Sequence, residues 1–262
     1  MTARENRFLR RLRAGEQLVG AFATIADPSM VELLGSVGFD WILIDTEHAA
    51  TDVAGVVDRL RALDGGATDA LVRPTWAEQQ RVKRLLDAGA RTLMFPSIAS
   101  ADDAVRAVGF TRYPPDGVRG VSGITRAARY GQDRGYLHGA ADQICVIAQV
   151  ESASGLDNLE AIAATPGVDV VFIGPSDLAA DLGHLGDAQH PEVQAAVDDA
   201  FARLHAIGAH AGYLTLDAAE ARRRLAEGVD VVGVAADVTI IRRGLASLSS
   251  DIGIPLGEED AR

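Results

Sequence analysis

Four apolar runs in this sequence break off at ionisable residues. "WILIDTEHAATD" passes from Trp41-Ile-Leu-Ile into Asp45, Glu47 and His48, "ALVRPTW" stops at Arg73, "ICVIAQVE" ends on Glu151, and "VDVVFIGPSD" runs into Asp177. Glu151 and Asp177 form a carboxylate pair with room for water and substrate oxygens, a donor set for Mg²⁺ or Mn²⁺; without a His/Cys cluster, zinc is a poorer fit. A carboxylate directly after "VIAQV" is costly unless something binds it, although Glu151 could also cap the helix that follows or pair with an arginine. Arg73 keeps its proton and offers a fork of donors suited to a carboxylate or to charge developing on an oxygen; a salt bridge across the strand ends is the plainer role. His48 is a candidate base, with Asp45 three residues earlier able to fix its tautomer, or else an ordinary loop hydrogen-bonder. The "GPSD" turn opens a helix whose free amides could hold an anion, and it is equally an ordinary N-terminal cap.

Such residues act together only if the strand ends share one face. Eight short apolar runs, "LVGAFA", "WILID", "ALVRP", "TLMFP", "ICVIAQVE", "VDVVFIG", "AHAGYL" and "VDVVGVAA", alternate with amphipathic helical patterns such as "AEQQRVKRLLDAG" and "HPEVQAAVDDAFARLHAIG". Several helices close on Gly before the next strand. Strands that are apolar throughout suit a covered parallel sheet. Eight βα units in roughly 250 residues match a (β/α)8 TIM barrel, in which catalytic residues gather where strands end and βα loops begin. A doubly wound open sheet is disfavoured because "VGAFATIADP" lacks the Gly-rich phosphate turn. The longest irregular stretch, "TRYPPDGVRGVSGITRAARYGQDRGYLHGA", lies between the fourth and fifth strands, and its length suggests a function.

The 262 residues, 48% hydrophobic and 24% charged, are read as one barrel domain over 1–262, with an N-terminal helix within 1–17 and a frayed tail over 253–262. A net charge of -12 argues against a nucleic-acid surface. No apolar run reaches membrane-spanning length, and the Arg-rich start lacks the apolar core of a secretory signal. One cysteine, Cys145, excludes an intrachain disulfide framework and reads as a small buried hydrophobe. Cytoplasmic residence is expected. The remaining histidines, His138, His184, His190, His205 and His210, show no ligand spacing and read as structural.

"RYPPDGVRGV", "VFIGPSDLAADLG", "QHPEVQAAV", the "DTEHA" turn and "VRPTW" followed by "KRLLDAGARTLMFP" together resemble the HpcH/HpaI aldolase family, specifically its class II pyruvate aldolases, over about residues 15 to 250. The resemblance implies a barrel whose eighth helix is exchanged between subunits of a hexamer, a dimer of trimers. It also implies a divalent cation, Mg²⁺, Mn²⁺ or Co²⁺, held by Glu151 and Asp177 and chelating a 2-oxo acid. The amides of Ser176 and Asp177 would hold the acid's carboxylate, Arg73 the enolate oxygen, and His48, paired with Asp45, would act as base through a metal-bound water. Glu47 would support these groups from behind, and Leu214 would line the pocket.

Two departures bear on the aldehyde. "RGVSGITRAARY" is one residue shorter than the family's pattern before its arginine, which bears on whether Arg126 meets the aldehyde's distal carboxylate, and Phe95 stands near the pocket where an aliphatic residue is commoner. The expected reaction is reversible cleavage of a 4-hydroxy-2-oxo acid to pyruvate or hydroxypyruvate and an aldehyde. Lys83, the only lysine, lies in a helix, which disfavours a Schiff base. The rivals are an acyl-CoA lyase of the malyl-CoA or citryl-CoA type and a non-catalytic carboxylate-binding barrel.

Overall fold

In a computed structural model that describes residues 5–253, the eight apolar runs form β1 (Leu18–Ala23), β2 (Trp41–Asp45), β3 (Asp69–Arg73), β4 (Thr92–Phe95), β5 (Cys145–Val150), β6 (Val170–Ile173), β7 (Ala211–Leu214) and β8 (Val231–Ala236). All neighbours are parallel, and β8 returns to β1, closing a barrel in sequence order. Helices alternate with the strands as expected of a (β/α)8 TIM barrel.

Strand alternation divides the core in two. Ile44, Val72, Leu93, Phe95, Val146, Ala148 and Val171 face outward into the layer packed under the helices. Leu18, Phe22, Trp41, Leu43, Leu71, Met94, Cys145, Ile147, Phe172 and Val231 fill the interior. Glycines make the room: a Cβ on Gly20 would stand 2.1 Å from the Trp41 ring, and one on Gly212 would stand 2.4 Å from that of Phe172. The Trp41 indole is anchored through its Nε1–H to the Leu18 carbonyl at 3.0 Å. Helix Arg7–Arg13, capped by Asn6, lays Phe8, Leu9 and Leu12 against the same cluster at the end where the strands begin. This is the expected N-terminal helix; residues 1–4, and residues 254–262 of the expected tail, lie outside the described residues.

The last helix, Asp237–Ile252, starts at the opposite end. Asp237 is buried and accepts from Thr24 N and Ile25 N at 2.9 and 2.7 Å, tying β8 to the loop after β1. Beyond it the helix leaves the barrel with Ile241, Leu245, Leu248 and Ile252 exposed. Those four positions follow one helical stripe.

The long segment after helix Ala101–Thr111 is an αβ connection, so it lies where strands begin and not over the mouth. Arg119, 1% exposed, holds it there: its guanidinium lies against the Tyr113 and Tyr136 rings, 4.5 and 5.6 Å from their centroids, and donates to Asp87 at 3.1 Å. Arg126 donates to the Ala88 carbonyl at 3.0 Å and pairs with Asp64. Within one chain Arg126 therefore stands at the far end from the strand-end carboxylates. The expectation for Phe95 is corrected. Its parity in β4 turns it outward into the helix-facing layer, and Met94 takes the interior position.

Candidate active site

The interior positions change character toward the end where strands finish. Along β2, Leu43 is followed inside by Asp45; along β3, Leu71 by Arg73; along β5, Ile147 by Gln149 and then Glu151. Parallel pairing places Asp45 beside Arg73. The guanidinium meets the carboxylate as a two-toothed fork, Nε to Oδ1 at 2.9 Å and Nη2 to Oδ2 at 2.8 Å. Both are buried, Asp45 at 1% and Arg73 at 7% exposure. The third arm of the fork, Nη1, lies 3.1 Å from Glu47 Oε2 and 3.5 Å from Gln149 Oε1, and the guanidinium carbon lies 5.4 Å from the centroid of the Phe22 ring. Burial alone would lower the Arg73 pKa; hydrogen bonding and attraction to Asp45, with Glu47 and Glu151 behind it, outweigh burial and raise it.

Glu151 sits where β5 ends. Its Oε1 accepts from the Ser97 amide at 2.7 Å and the Ser97 hydroxyl at 3.1 Å. Ser97 holds the left-handed φ of 55°, uncommon outside glycine, in making these contacts. The other oxygen receives the Gln149 side-chain amide. A Cβ on Gly174 would fall 2.6 Å from Glu151 Oε2, so the bare glycine at the end of β6 leaves space for the carboxylate. Gly174 then caps helix Pro175–Asp181, whose first turn carries Ser176 and Asp177, both exposed. The first helical bond runs from Leu178 N to the Gly174 carbonyl, so the Ser176 and Asp177 amides stand at the open end of the helix.

Glu47 completes a second acidic side. Burial raises its pKa; the charges of Glu151 and Asp45 act in the same sense, and Arg73 and His48 oppose them. Its Oε2 is buried without an aligned hydrogen-bond donor, although Arg73 Nη1 is within ion-pair distance. Glu151, its carboxylate lodged in a glycine notch, and Asp177, on the adjoining turn, are two carboxylates that offer oxygen donors only. That set fits a hard divalent cation.

His48 is the point at which geometry and expectation part. Its imidazole is 62% exposed at the rim, and its neighbour is Glu47, with Oε2 3.7 Å from Nε2. Asp45 is not its partner, because both Asp45 oxygens serve Arg73 and Oδ1 also accepts from the Glu47 amide at 3.0 Å. Leu214 lies at the end of β7, partly buried against the interior cluster. The mouth thus gathers Asp45, Glu47, His48, Arg73, Glu151, Ser176, Asp177 and Leu214, and leaves Arg126 out. Sequence reasoning passed over Gln149 and Ser97, which bracket Glu151. A polar residue two positions before Glu151 in an otherwise apolar strand was the available signal for Gln149; the conformation of Ser97 has none.

With this geometry in hand, comparison with known proteins is specific. The HpcH/HpaI aldolase/citrate lyase family model matches residues 18–243. A 4-hydroxy-2-oxo-heptane-1,7-dioate aldolase from Salmonella newport (strain SL254) is 42% identical over 251 residues, 95% of each chain. A hydroxypyruvate/pyruvate aldolase from Pseudomonas aeruginosa is 45% identical over 245 residues, 93% of this chain and 91% of its own. The crystal structure of a HpcH/HpaI aldolase/citrate lyase family protein from Burkholderia cenocepacia J2315 superposes with a TM-score of 0.92 at 44% identity, covering 94% of this chain and 99% of that one. The barrel, the polar mouth and these similarities agree: the chain belongs to the HpcH/HpaI aldolase/citrate lyase family.

Proposed function

We propose that this chain is a class II aldolase that reversibly cleaves a 4-hydroxy-2-oxo acid to pyruvate or hydroxypyruvate and an aldehyde. The observation that carries the reading is the buried Arg73 fork, held by Asp45 between Glu47 and Gln149, beside the Glu151–Gly174–Asp177 corner. The relative at 42% identity is named for a 4-hydroxy-2-oxo acid, and the relative at 45% identity for hydroxypyruvate and pyruvate.

A divalent cation held by Glu151 and Asp177, Mg²⁺ or Mn²⁺ with Co²⁺ as a further candidate, would supply Lewis acidity at the 2-oxo group. The chain's own residues do the rest. The open amides of Ser176 and Asp177 receive the acid's carboxylate. In cleavage, the 4-hydroxyl loses its proton, the C3–C4 bond breaks, and its electron pair moves through C2 to the ketone oxygen. Arg73 faces that oxygen with a proton it does not give up, stabilising charge that appears only as the bond breaks. His48, at the rim, accepts the hydroxyl proton, and Glu47 lies within ion-pair reach of the imidazolium that results. Leu214 supplies apolar wall. Lys83 is turned away: its aliphatic stem packs against Gly120, where a Cβ would fall 2.9 Å from Lys83 Cδ, on the segment at the far end of the barrel. No lysine at the mouth supports a Schiff base.

The exposed stripe of helix Asp237–Ile252 supports exchange of this helix onto another copy, within a hexamer built from trimers. A net charge of -12 supports an enzyme of small molecules over one that binds nucleic acid, and cytoplasmic residence is part of the same proposal.

Exchange of the pyruvate methyl protons in D₂O, followed by NMR, tests the chemistry before any aldehyde is chosen. Exchange should need Mg²⁺ or Mn²⁺ and stop with EDTA. Exchange indifferent to EDTA, or none from pyruvate or hydroxypyruvate with cation bound, refutes the reading.

A further inference from the structure

In the connection that follows β6, beyond helix Pro175–Asp181, a turn brings together residues whose linear spacing hides them. Helix Pro175–Asp181 ends in the turn 182–190, pinned by His184 N to the Ala179 carbonyl at 2.7 Å, Asp187 N to the His184 carbonyl at 2.9 Å and His190 N to the Asp187 carbonyl at 3.1 Å. The turn folds the two imidazoles face to face, with ring centroids 3.6 Å apart and planes at 14°. His190 caps helix Pro191–Ala206, its Nδ1 accepting from the Glu192 amide at 3.3 Å. The Glu192 carboxylate turns back to His184, Oε2 lying 2.8 Å from Nε2.

The three residues offer two imidazole nitrogens and one carboxylate oxygen, all within 4.8 Å of one another. Bonds of about 2.0–2.2 Å to one ion would bring such atoms to within about 4 Å of each other. Near-parallel rings 3.6 Å apart cannot both aim in-plane lone pairs at one ion, so binding requires the two rings to turn out of their stack. A hydrogen bond of 2.8 Å joins His184 and Glu192, and a cation can replace it, because a ligating imidazole is neutral and a ligating carboxylate ionised. The long His190 cap bond is the weaker of the two contacts to be given up. Both histidines are half-buried and Glu192 is exposed, leaving a solvent side for water to complete the coordination.

We propose that His184, His190 and Glu192 form a site for a nitrogen-preferring divalent cation such as Zn²⁺ or Ni²⁺, which ties the turn after the Asp177-bearing helix to the start of helix Pro191–Ala206. Its ligand chemistry differs from that of the mouth. Imidazole suits zinc, nickel and copper, whereas carboxylate and water suit magnesium and manganese. The chain thereby sorts two kinds of cation onto two sites. This proposal is independent of the aldolase reading.

The test is Zn²⁺ titration calorimetry on the full-length chain without an affinity tag, with Mg²⁺ in large excess to occupy the carboxylate corner. Two variants probe the ligands and preserve the local structure: His184→Phe retains a stacked ring, and His190→Asn retains a cap acceptor. The wild type should bind one Zn²⁺ per chain that Mg²⁺ does not displace. Each variant should weaken that binding by more than the about 10–100-fold that loss of a supporting contact costs. Pyruvate methyl exchange under Mg²⁺ should be unchanged in both. Failure to see Mg²⁺-resistant binding in the wild type overturns the site, as does wild-type binding in either variant.

Discussion

Replacing Asp45 with alanine strips the Arg73 guanidinium of the carboxylate that meets it at 2.9 and 2.8 Å, in a place where the arginine is 7% exposed. Removing one partner of a buried ion pair costs about 3–5 kcal/mol, because the survivor stays desolvated and unpaired. Here Glu47 remains 3.1 Å from Nη1 and takes up part of the charge, which places the expected loss near the lower limit, about 3 kcal/mol. For a chain of this size that corresponds to a fall in melting temperature of about 6–12 °C. Asp45→Asn keeps one acceptor and should lose about half as much, on the scale of a single hydrogen bond to a charged group, about 1.5 kcal/mol. Scanning calorimetry at fixed protein concentration measures both, and pyruvate methyl exchange should fall with them because an untethered Arg73 no longer faces the ketone oxygen. The opposite pattern would refute the argument. If Asp45→Ala melted within about 1 °C of wild type and only the pH dependence of exchange moved, Asp45 would be serving His48 and not Arg73.

Gly174→Ala places a methyl 2.6 Å from Glu151 Oε2 and should displace that carboxylate; Mn²⁺ binding followed by electron paramagnetic resonance should be lost, with a stability cost of about 1–3 kcal/mol. Unchanged Mn²⁺ affinity would remove Glu151 from the ligand set. His210 stands 2.9 Å from Asp230, and that hydrogen bond raises its pKa against the opposing effect of burial. A raised imidazole pKa means stability fully present below the unfolded value of about 6.5 and lost as pH climbs through the folded value. His210→Asn should therefore lower the urea midpoint at pH 6, by an amount worth about 0.5–1 kcal/mol after allowing for solvent screening, and by less at pH 9; equal losses at both pH values would contradict the shift. Leu245→Glu puts a charge in the exposed stripe of the last helix and should give smaller species than wild type in sedimentation velocity; identical sedimentation would show that the stripe is not an interface.

Much of the arrangement was legible because strands obey a period of two and barrels place their chemistry at one end. The eight strands and the convergence of Asp45, Arg73, Glu151 and Asp177 follow from those rules, and the inward parity from Leu43 to Asp45 and from Leu71 to Arg73 extends them. His48 lies beyond the last strand residue, where parity gives no direction; sequence proximity suggests Asp45 as its partner, but Arg73, adjacent in the sheet, has the stronger claim on that carboxylate. Arg126 stands away from the mouth of its own chain for a topological reason. The segment that carries it follows a helix, so it is an αβ connection at the floor of the barrel, and its length and arginines obscured that. The resemblance puts Phe95 near the pocket, whereas strand parity gives the interior position to its neighbour Met94. The His184–His190 contact was beyond spacing rules because a turn, with no fixed period, creates it.

The floor of the barrel has a kinetic consequence. Trp41 and Phe172 fill the notches left by Gly20 and Gly212, and Phe8, Leu9 and Leu12 seal the layer beneath them, so the barrel interior is plugged below the site and ligands reach it from the strand-end face. Under the proposed chemistry, the 2-oxo acid lies deeper, against Glu151 and Arg73, and the aldehyde lies above it. Traffic through the strand-end face is then last in, first out: in cleavage the aldehyde departs before the 2-oxo acid, and in condensation the 2-oxo acid loads first. Product inhibition by the aldehyde alone should be non-competitive toward the cleaved substrate, and inhibition by the 2-oxo acid competitive.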